Sequence, residues 1–210
     1  MTRPLILKSA VHPYHVSART QSGDFFPISL DEVWAIMLDE LQCARKIHNL
    51  CIHAFVLMGN HFHLLCHTPN ENLDQIMHQF MRNTSLRIRR QSKSSFPLWA
   101  GRYRWSLIES QNHYYQVYKY IYRNPIRAKM VSKVEHYPFS TLKVSSFPIH
   151  SYIAMSFAGE EGERLWLNEP FDKEAEGLIK LGLKKQYFDV NKRKLKIFNR
   201  LTVPNIPPHE

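Results

Sequence analysis

Two histidines at alternate positions of an apolar segment are the residues of this sequence best placed for chemistry. Residues 49–68 (NLCIHAFVLMGNHFHLLCHT) are typical of two apolar strands joined by a tight turn at Gly59. Successive side chains of a strand point to opposite faces, so His61 and His63 share one face, about 6.6 Å apart along the strand. Phe62 points the other way, towards a core. Two imidazoles on one face of a rigid strand form half of a metal site.

A His-x-His pair on a strand occurs in several unrelated kinds of site, and alone it does not choose among them. Zinc hydrolases and cupins use such a pair, but each needs further ligands, and the hairpin contains no acidic residue. His67 shares the face but lies about 13 Å beyond His63 by strand rise, too far for the same ion. A zinc hydrolase that takes acidic ligands from elsewhere in the chain remains an alternative.

A tyrosine-rich segment further along the chain offers residues that a two-histidine site lacks. Residues 112–124 (NHYYQVYKYIYRN) predict a helix that is stopped or bent by the proline that follows, and five of its residues are tyrosines. Tyr120 and Asn124 are four positions apart and therefore share a helix face. A tyrosine nucleophile and an amide ligand that serve one site need this spacing. Tyr118 and Tyr122 lie about 200° round the helix from Tyr120.

The elements that position these residues alternate between strands and helices. Ser29 and Glu32 fit a capping box, which predicts the start of the first helix. The predicted elements, in order, are a strand at 14–18, a helix at 29–49, the hairpin strands of 49–68, a helix at 72–91, a strand at 99–109 and a helix at 112–124. This order favours an α+β fold, with a ferredoxin-like antiparallel sheet of four or five strands and packed helices.

The chain has 210 residues, enough for one domain with an appendage. We predict a main domain at 1–147 and a C-terminal extension at 148–210, with a short helix at 162–167 and disorder in the last residues. The longest apolar run is far too short to cross a bilayer, and no secretory signal is visible. We therefore expect a cytoplasmic protein with no membrane partner.

The net charge of +10 lies almost entirely in the first three-quarters of the chain. Residues 1–150 hold 18 Lys and Arg against 9 Asp and Glu, while residues 151–210 hold 10 against 9. An excess of this kind favours polyanionic partners, although ribosomal and membrane-surface proteins share it. The predicted helix at 72–91 ends in a cluster of cations without an acid among them. Residues 102–105 (RYRW) alternate cations with aromatics, which suits a single nucleic-acid strand and also an ordinary edge strand.

Five blocks of sequence carry a more specific signal. They are PYHVSAR (13–19), AFVLMGNHFHLL (54–65), GRY (101–103), YIYRNPIRA (120–128) and YPFST (137–141). In this order they resemble the HUH endonuclease superfamily and, within it, the REP-associated tyrosine transposases and related single-tyrosine transposases. The resemblance extends over about residues 4–145 and leaves the last 60 residues uncovered. Residues 20–23 (TQSG) depart from the glycine and polar run that relatives often carry there.

The resemblance implies a metal-dependent nickase and strand transferase that acts on single-stranded DNA at a hairpin, in DNA transposition or recombination. Tyr120 would be the nucleophile and would form a 5′-phosphotyrosine, and His61, His63 and Asn124 would hold Mg²⁺ or Mn²⁺. The implied partner is single-stranded DNA with a hairpin, bound by a monomer or homodimer that associates with the nucleoid. An alternative of another class is a non-catalytic binder of structured nucleic acid derived from such a transposase.

The residues expected to contact DNA are arginines, most of them in the basic segments described above. They are Arg19, Arg82, Arg87, Arg89, Arg90, Arg102, Arg104, Arg123 and Arg127. We also expect residues 184–200 of the C-terminal extension to add affinity for DNA, because they contain a second cluster of cations.

Overall fold

The computed structural model describes residues 5–144 and 159–189, and it confirms the predicted α+β class. The elements, in chain order, are β1 (Tyr14–Arg19), α1 (Leu30–His48), β2 (Cys51–Leu57), β3 (His61–His67), α2 (Leu73–Ser92), β4 (Arg104–Leu107), α3 (Gln111–Arg127), α4 (Gly159–Asn168) and α5 (Lys173–Gly182). The four strands form one antiparallel sheet in the order β2-β3-β1-β4. The first six elements follow the β-α-β-β-α-β order of a ferredoxin-like fold.

The β2–β3 hairpin holds His61 and His63 in the middle of the sheet. The backbone N–H of Met58 donates to the carbonyl of His61 at 2.7 Å, which closes the turn. On its other side, β3 pairs with β1, so that His61 lies opposite Arg19 and His63 lies opposite Ser17. Because β3 is hydrogen-bonded on both sides, the directions of its side chains are fixed by the sheet.

The sheet separates two apolar layers. Phe55, Phe62 and Leu64 pack on one face against α1 and α2, and the capping box of Ser29 and Glu32 fixes the start of α1 as predicted. Ala54, Val56 and Leu65 lie on the opposite face, where α3 covers them. This second face also carries His63, whose neighbours Phe62 and Leu64 point to the first layer. The alternation predicted from the sequence is therefore confirmed.

The strand predicted at residues 99–109 is wrong in its extent, because β4 covers only Arg104–Leu107. Trp99 makes an isolated bridge to Thr20, and its indole Nε1 donates to the carbonyl of Met81 on α2 at 3.0 Å. These contacts turn the chain towards α2 before it enters the sheet. Arg102 consequently lies in a loop and not on the alternating strand that was predicted.

Pro125 does not stop α3, which continues to Arg127, so the predicted end of this helix is also wrong. A proline lacks the N–H that would bond the carbonyl four residues earlier, here that of Ile121. The side-chain Nδ2 of Asn124 donates to the carbonyls of Tyr120 at 2.9 Å and Ile121 at 3.4 Å. Asn124 thus satisfies the carbonyl that Pro125 leaves open, and the last turn of the helix forms.

The described part of the C-terminal extension consists of α4 and α5, which pack on the outer side of α3. Trp166 and Leu167 of α4 and Leu178 and Ile179 of α5 are buried in the α3 layer. The helix predicted at 162–167 is therefore part of a longer one. The predicted boundary near residue 147, the predicted disordered tail and the cations beyond residue 189 lie outside the described residues. None of the described helices is long and apolar enough to cross a membrane.

Candidate active site

A cavity of about 630 Å³ opens on the α3 side of the sheet. Strands β1 and β3, the loop before β4, and helices α3 and α5 all contribute to its walls. Its polar lining residues are Ser17, Arg19, Ser22, Asn60, His61, His63, Arg102, Arg104, Tyr120, Arg127 and Lys180. The fold therefore brings Tyr120 to the two histidines, together with four of the nine arginines expected to contact DNA.

The two histidines of β3 that line the cavity are both held through Nδ1. His61 Nδ1 lies 2.7 Å from Asn60 Oδ1, and His63 Nδ1 lies 2.9 Å from His15 Nε2 on β1. Because Asn60 Oδ1 can only accept, the proton of His61 sits on Nδ1 and its Nε2 keeps a lone pair. A His63 that donates to His15 has the same tautomer. Such second contacts orient imidazoles that bind metal ions.

Burial keeps these imidazoles neutral. It lowers the pKa of His15 from 6.5 to about 3 and that of His61 to about 4, and the charges of Arg127 and Arg19 lower the latter further. Burial also lowers the pKa of His63 well below 6.5, with contributions from His15, His61 and Arg127. A neutral imidazole offers a lone pair to a cation, whereas an imidazolium does not. At neutral pH the imidazoles therefore keep their lone pairs.

The same pKa shifts predict that acid destabilises the fold. Between about pH 6.5 and pH 4 the unfolded chain binds protons that His15, His61 and His63 refuse in the folded state, so the free energy of unfolding should fall as the pH drops. Urea unfolding at pH 7, 6 and 5 measures this slope. His15→Gln removes one of the three titrations and should flatten the slope, and an equal slope in both proteins would contradict this explanation.

Helix α3 positions Tyr120 against His63, with the ring centroids 6.0 Å apart and the rings nearly perpendicular. The Tyr120 hydroxyl accepts a hydrogen bond from Arg127 Nη1 at 3.2 Å, and the guanidinium lies 5.3 Å from the ring centroid. Burial raises the pKa of Tyr120, and Arg127 opposes that rise. The neighbouring tyrosines face other groups: Tyr118 donates to Glu163 at 2.6 Å, and Tyr122 lies 3.0 Å from the Thr141 hydroxyl.

Asn124 lies one helical turn beyond Tyr120, is buried, and does not line the cavity itself. Its Nδ2 is occupied by the backbone, which leaves Oδ1 as a buried acceptor with no hydrogen-bond partner among the described residues. A buried acceptor without a partner costs about 1–3 kcal/mol, which a bound cation would relieve. No three His, Cys, Asp or Glu side chains of residues 5–144 and 159–189 are grouped to hold a metal. Beside His61 and His63, these residues therefore offer a metal no third imidazole, thiolate or carboxylate ligand.

A second groove, of about 1090 Å³, adjoins the cavity between α2 and the loop before β4. Arg82 and Arg89 of α2 line it, together with Trp99 and Tyr103. Arg102 lines both the groove and the cavity, so the two spaces meet at this residue. The groove therefore extends the positive lining of the cavity and adds aromatic side chains to it.

The remaining three arginines of the predicted DNA-contact set lie elsewhere. Arg87 forms ion pairs with Asp39 at 2.9 Å and Glu40 at 3.1 Å on α1. Arg123 donates to the carbonyls at the end of α4, at 2.7 and 2.9 Å. Arg90 is exposed near Arg87 and lines neither the cavity nor the groove.

Polar residues of the site that were not singled out from the sequence include His15 and Lys180. His15 stands in the first sequence block, but only the β1–β3 register, which sets it opposite Leu65, brings it to His63. Alternation along β1 predicts the sheet face on which His15 lies, but it does not predict the contact of His15 with His63. Lys180 had no such signal, because its place depends on how α5 packs on α3.

Comparison with known proteins agrees with this fold. Residues 30–124 match the model of a family described as transposase IS200 like. A solved REP-associated tyrosine transposase, bound to a REP hairpin, has a similar fold, with a TM-score of 0.57 and 14% identity over 74% of this chain and 94% of that chain. A putative transposase from Deinococcus radiodurans matches with a TM-score of 0.39 and 19% identity over 58% of this chain and 94% of that chain. A search of curated proteins found no significant match.

Proposed function

We propose that the protein, whose residues 30–124 match the IS200-like transposase family, cleaves and rejoins single-stranded DNA at a hairpin. The observation that carries the proposal is the position of Tyr120, which lies against His63 in a cavity lined by four arginines. A phenol, neutral imidazoles and guanidinium groups together suit attack on a phosphodiester.

The reaction we propose is a transesterification. The Tyr120 oxygen attacks phosphorus and loses its proton to solvent, while the bond from phosphorus to the 3′ oxygen breaks and that oxygen takes up a proton. The products are a 5′-phosphotyrosine and a free 3′-OH. The 3′-OH of a second strand can reverse the step, so joining needs no nucleotide cofactor. Arg127 and Arg104 carry positive charge to the cavity where the phosphate would gain negative charge.

The donor set of the site fits a divalent ion, Mg²⁺ or Mn²⁺. His61 and His63 would offer Nε2, and Asn124 would offer the Oδ1 that has no other partner. The chemistry supplied by such an ion, when bound, is polarisation of the scissile phosphate. Two imidazole ligands favour Mn²⁺ over Mg²⁺. Asn60 and His15 contact Nδ1 of the two rings and leave Nε2 for such an ion.

We propose that the DNA strand passes from the cavity into the adjoining groove. Phosphates would meet Arg102 and Arg82, and a base could stack on the exposed part of Trp99. We leave Arg87, Arg89 and Arg123 out of the contact set, because their guanidinium groups already bind acids or carbonyls of the protein.

The groove proposal predicts a change in the salt dependence of DNA binding. Arg82→Ala combined with Arg102→Ala removes two phosphate contacts, so the slope of log K against log salt should shrink by about 1.4. Fluorescence anisotropy with a hairpin oligonucleotide across a salt series measures the slope. Arg87→Ala is the matched control, a cation of the same helix that should leave the slope unchanged. If the double variant and Arg87→Ala changed the slope equally, the DNA strand would not follow the proposed groove.

Incubation of the full chain with hairpin-bearing single-stranded DNA and Mn²⁺ tests the function. A covalent protein–DNA adduct should survive denaturing electrophoresis and should disappear when a chelator is present. Binding of the hairpin that is unaffected by metal, with no adduct on any hairpin substrate, would instead favour the non-catalytic binder. Tightly held zinc in a chain without affinity for DNA would favour the zinc hydrolase.

A further inference from the structure

We propose that Glu176, on helix α5 of the C-terminal extension, is a positioning residue of the active site that holds Arg127 against the hydroxyl of Tyr120. The inference rests on the proposed function, and it gives the extension a role in the reaction. Its basis is one guanidinium group that contacts both the tyrosine of α3 and a carboxylate of α5.

Arg127 bridges the two residues through different nitrogens. Its Nη1 lies 3.2 Å from the Tyr120 hydroxyl, and its Nε lies 3.9 Å from Glu176 Oε1. The guanidinium is planar, so a carboxylate near Nε restricts where the Nη atoms can point. The Arg127 side chain is 36% exposed, and a free arginine there would sample many rotamers. Glu176 is thus the contact that keeps the guanidinium over Tyr120.

The position of Glu176 is set by packing and not by the ion pair. Ala175 and Ile179, on either side of it in the helix, are completely buried, and Ile179 belongs to the α3 layer. Asp172 caps the start of α5 by accepting from the backbone N–H groups of Glu174 and Ala175. A helix anchored in this way presents its carboxylate to Arg127 whether or not DNA is bound.

A second residue of α5 indicates that this face of the helix belongs to the site. Lys180 is four positions after Glu176, hence on the same face, and it lines the cavity with Tyr120 and His63. One helix thus brings Lys180 to the cavity and Glu176 to Arg127, which lines it. The carboxylate contacts Arg127 but does not line the cavity. Cations, and not this acid, therefore line the space that a phosphate would occupy.

The chemical consequence concerns the attacking oxygen. A hydrogen bond from Arg127 fixes where the Tyr120 oxygen lies and which lone pair remains for phosphorus. Misplacement of a reacting group by about 1 Å can cost about 100-fold in rate. Without Glu176, an incoming phosphate would compete for Arg127 and draw it away from the tyrosine. The carboxylate should therefore affect the rate of attack more than the affinity for DNA.

Glu176→Gln tests the inference with little change of shape. At saturating hairpin DNA, the single-turnover rate of adduct formation should fall about tenfold, while DNA affinity should not weaken and the melting temperature should be kept. Glu161→Gln is the matched control, because it removes the same charge from an exposed position on α4. It should react at the wild-type rate. A Glu176→Gln protein that also reacts at the wild-type rate overturns the inference.

A double-mutant cycle tests whether Glu176 acts through Arg127. In an Arg127→Ala background, Glu176→Gln should lower the rate no further, because the group that it holds is gone. A further loss of tenfold would mean that Glu176 acts by another route, and the inference would fall. These failures are distinct from failure of the proposed function, since a wild-type chain that forms no adduct overturns both.

Discussion

Replacement of Tyr120 by phenylalanine should abolish the covalent protein–DNA adduct and leave a folded chain that still binds hairpin DNA. The change removes a single oxygen, and that oxygen is hydrogen-bonded to the partly exposed Arg127. The expected cost to the free energy of unfolding is about 1 kcal/mol or less. Denaturing electrophoresis detects the adduct, anisotropy reports DNA binding, and thermal melting reports the fold. Loss of the adduct alone would identify Tyr120 as the nucleophile.

The same helix provides matched controls in Tyr118 and Tyr122. Tyr118→Phe loses the hydrogen bond to Glu163, and Tyr122→Phe loses the one to Thr141. Each should lower the free energy of unfolding by about 1 kcal/mol and still form the adduct. The assignment would be wrong if Tyr120→Phe kept the adduct, and Tyr122 would take its place if only Tyr122→Phe lost it. Loss of the hydroxyl should thus lower mainly the free energy of unfolding at Tyr118 and Tyr122, and should abolish adduct formation at Tyr120.

The parts of this fold that the sequence predicted correctly rest on local signals. Ser29 and Glu32 reach each other within one helical turn, so the start of α1 depends on nothing distant. The alternation of His61, Phe62 and His63 needs only a strand, and a core on one side of it, to fix the faces. The prediction that Tyr120 and Asn124 share a face likewise needs only a helix, although Asn124 itself does not line the cavity. Half of the candidate site could therefore be assembled before any contact between elements was known.

The parts that were missed depend on contacts between distant segments. Whether Pro125 ends α3 depends on a side chain that caps the open carbonyl, and Asn124 does so although it was expected only as a ligand. Arg87 resembled its neighbours in the sequence until the packing of α2 on α1 gave it two acids as partners. No local pattern marks Glu176 or Lys180, because their places follow from the way α5 is buried against α3.

Replacement of His61 by alanine should lower the rate of adduct formation by at least about 100-fold, with the fold and hairpin binding kept. His61 is only partly buried at the edge of the cavity, so its loss removes a ligand without opening the core. The variant should also need a much higher Mn²⁺ concentration for half-maximal rate. His15→Gln, which frees the His63 ring from its second contact, should raise that concentration by about 10- to 100-fold.

His67→Ala supplies the matched control for the metal experiment. His67 stands on the same strand and face as His61, but its ring contacts His53 at the far end of β3. An ion held beside Tyr120 should be insensitive to it, so its Mn²⁺ dependence should match that of the wild type. If His61→Ala kept the wild-type dependence, the His-x-His pair would orient Tyr120 by packing alone. Because the pair and the tyrosine lie in one cavity, metal titration of these variants separates ligation from packing.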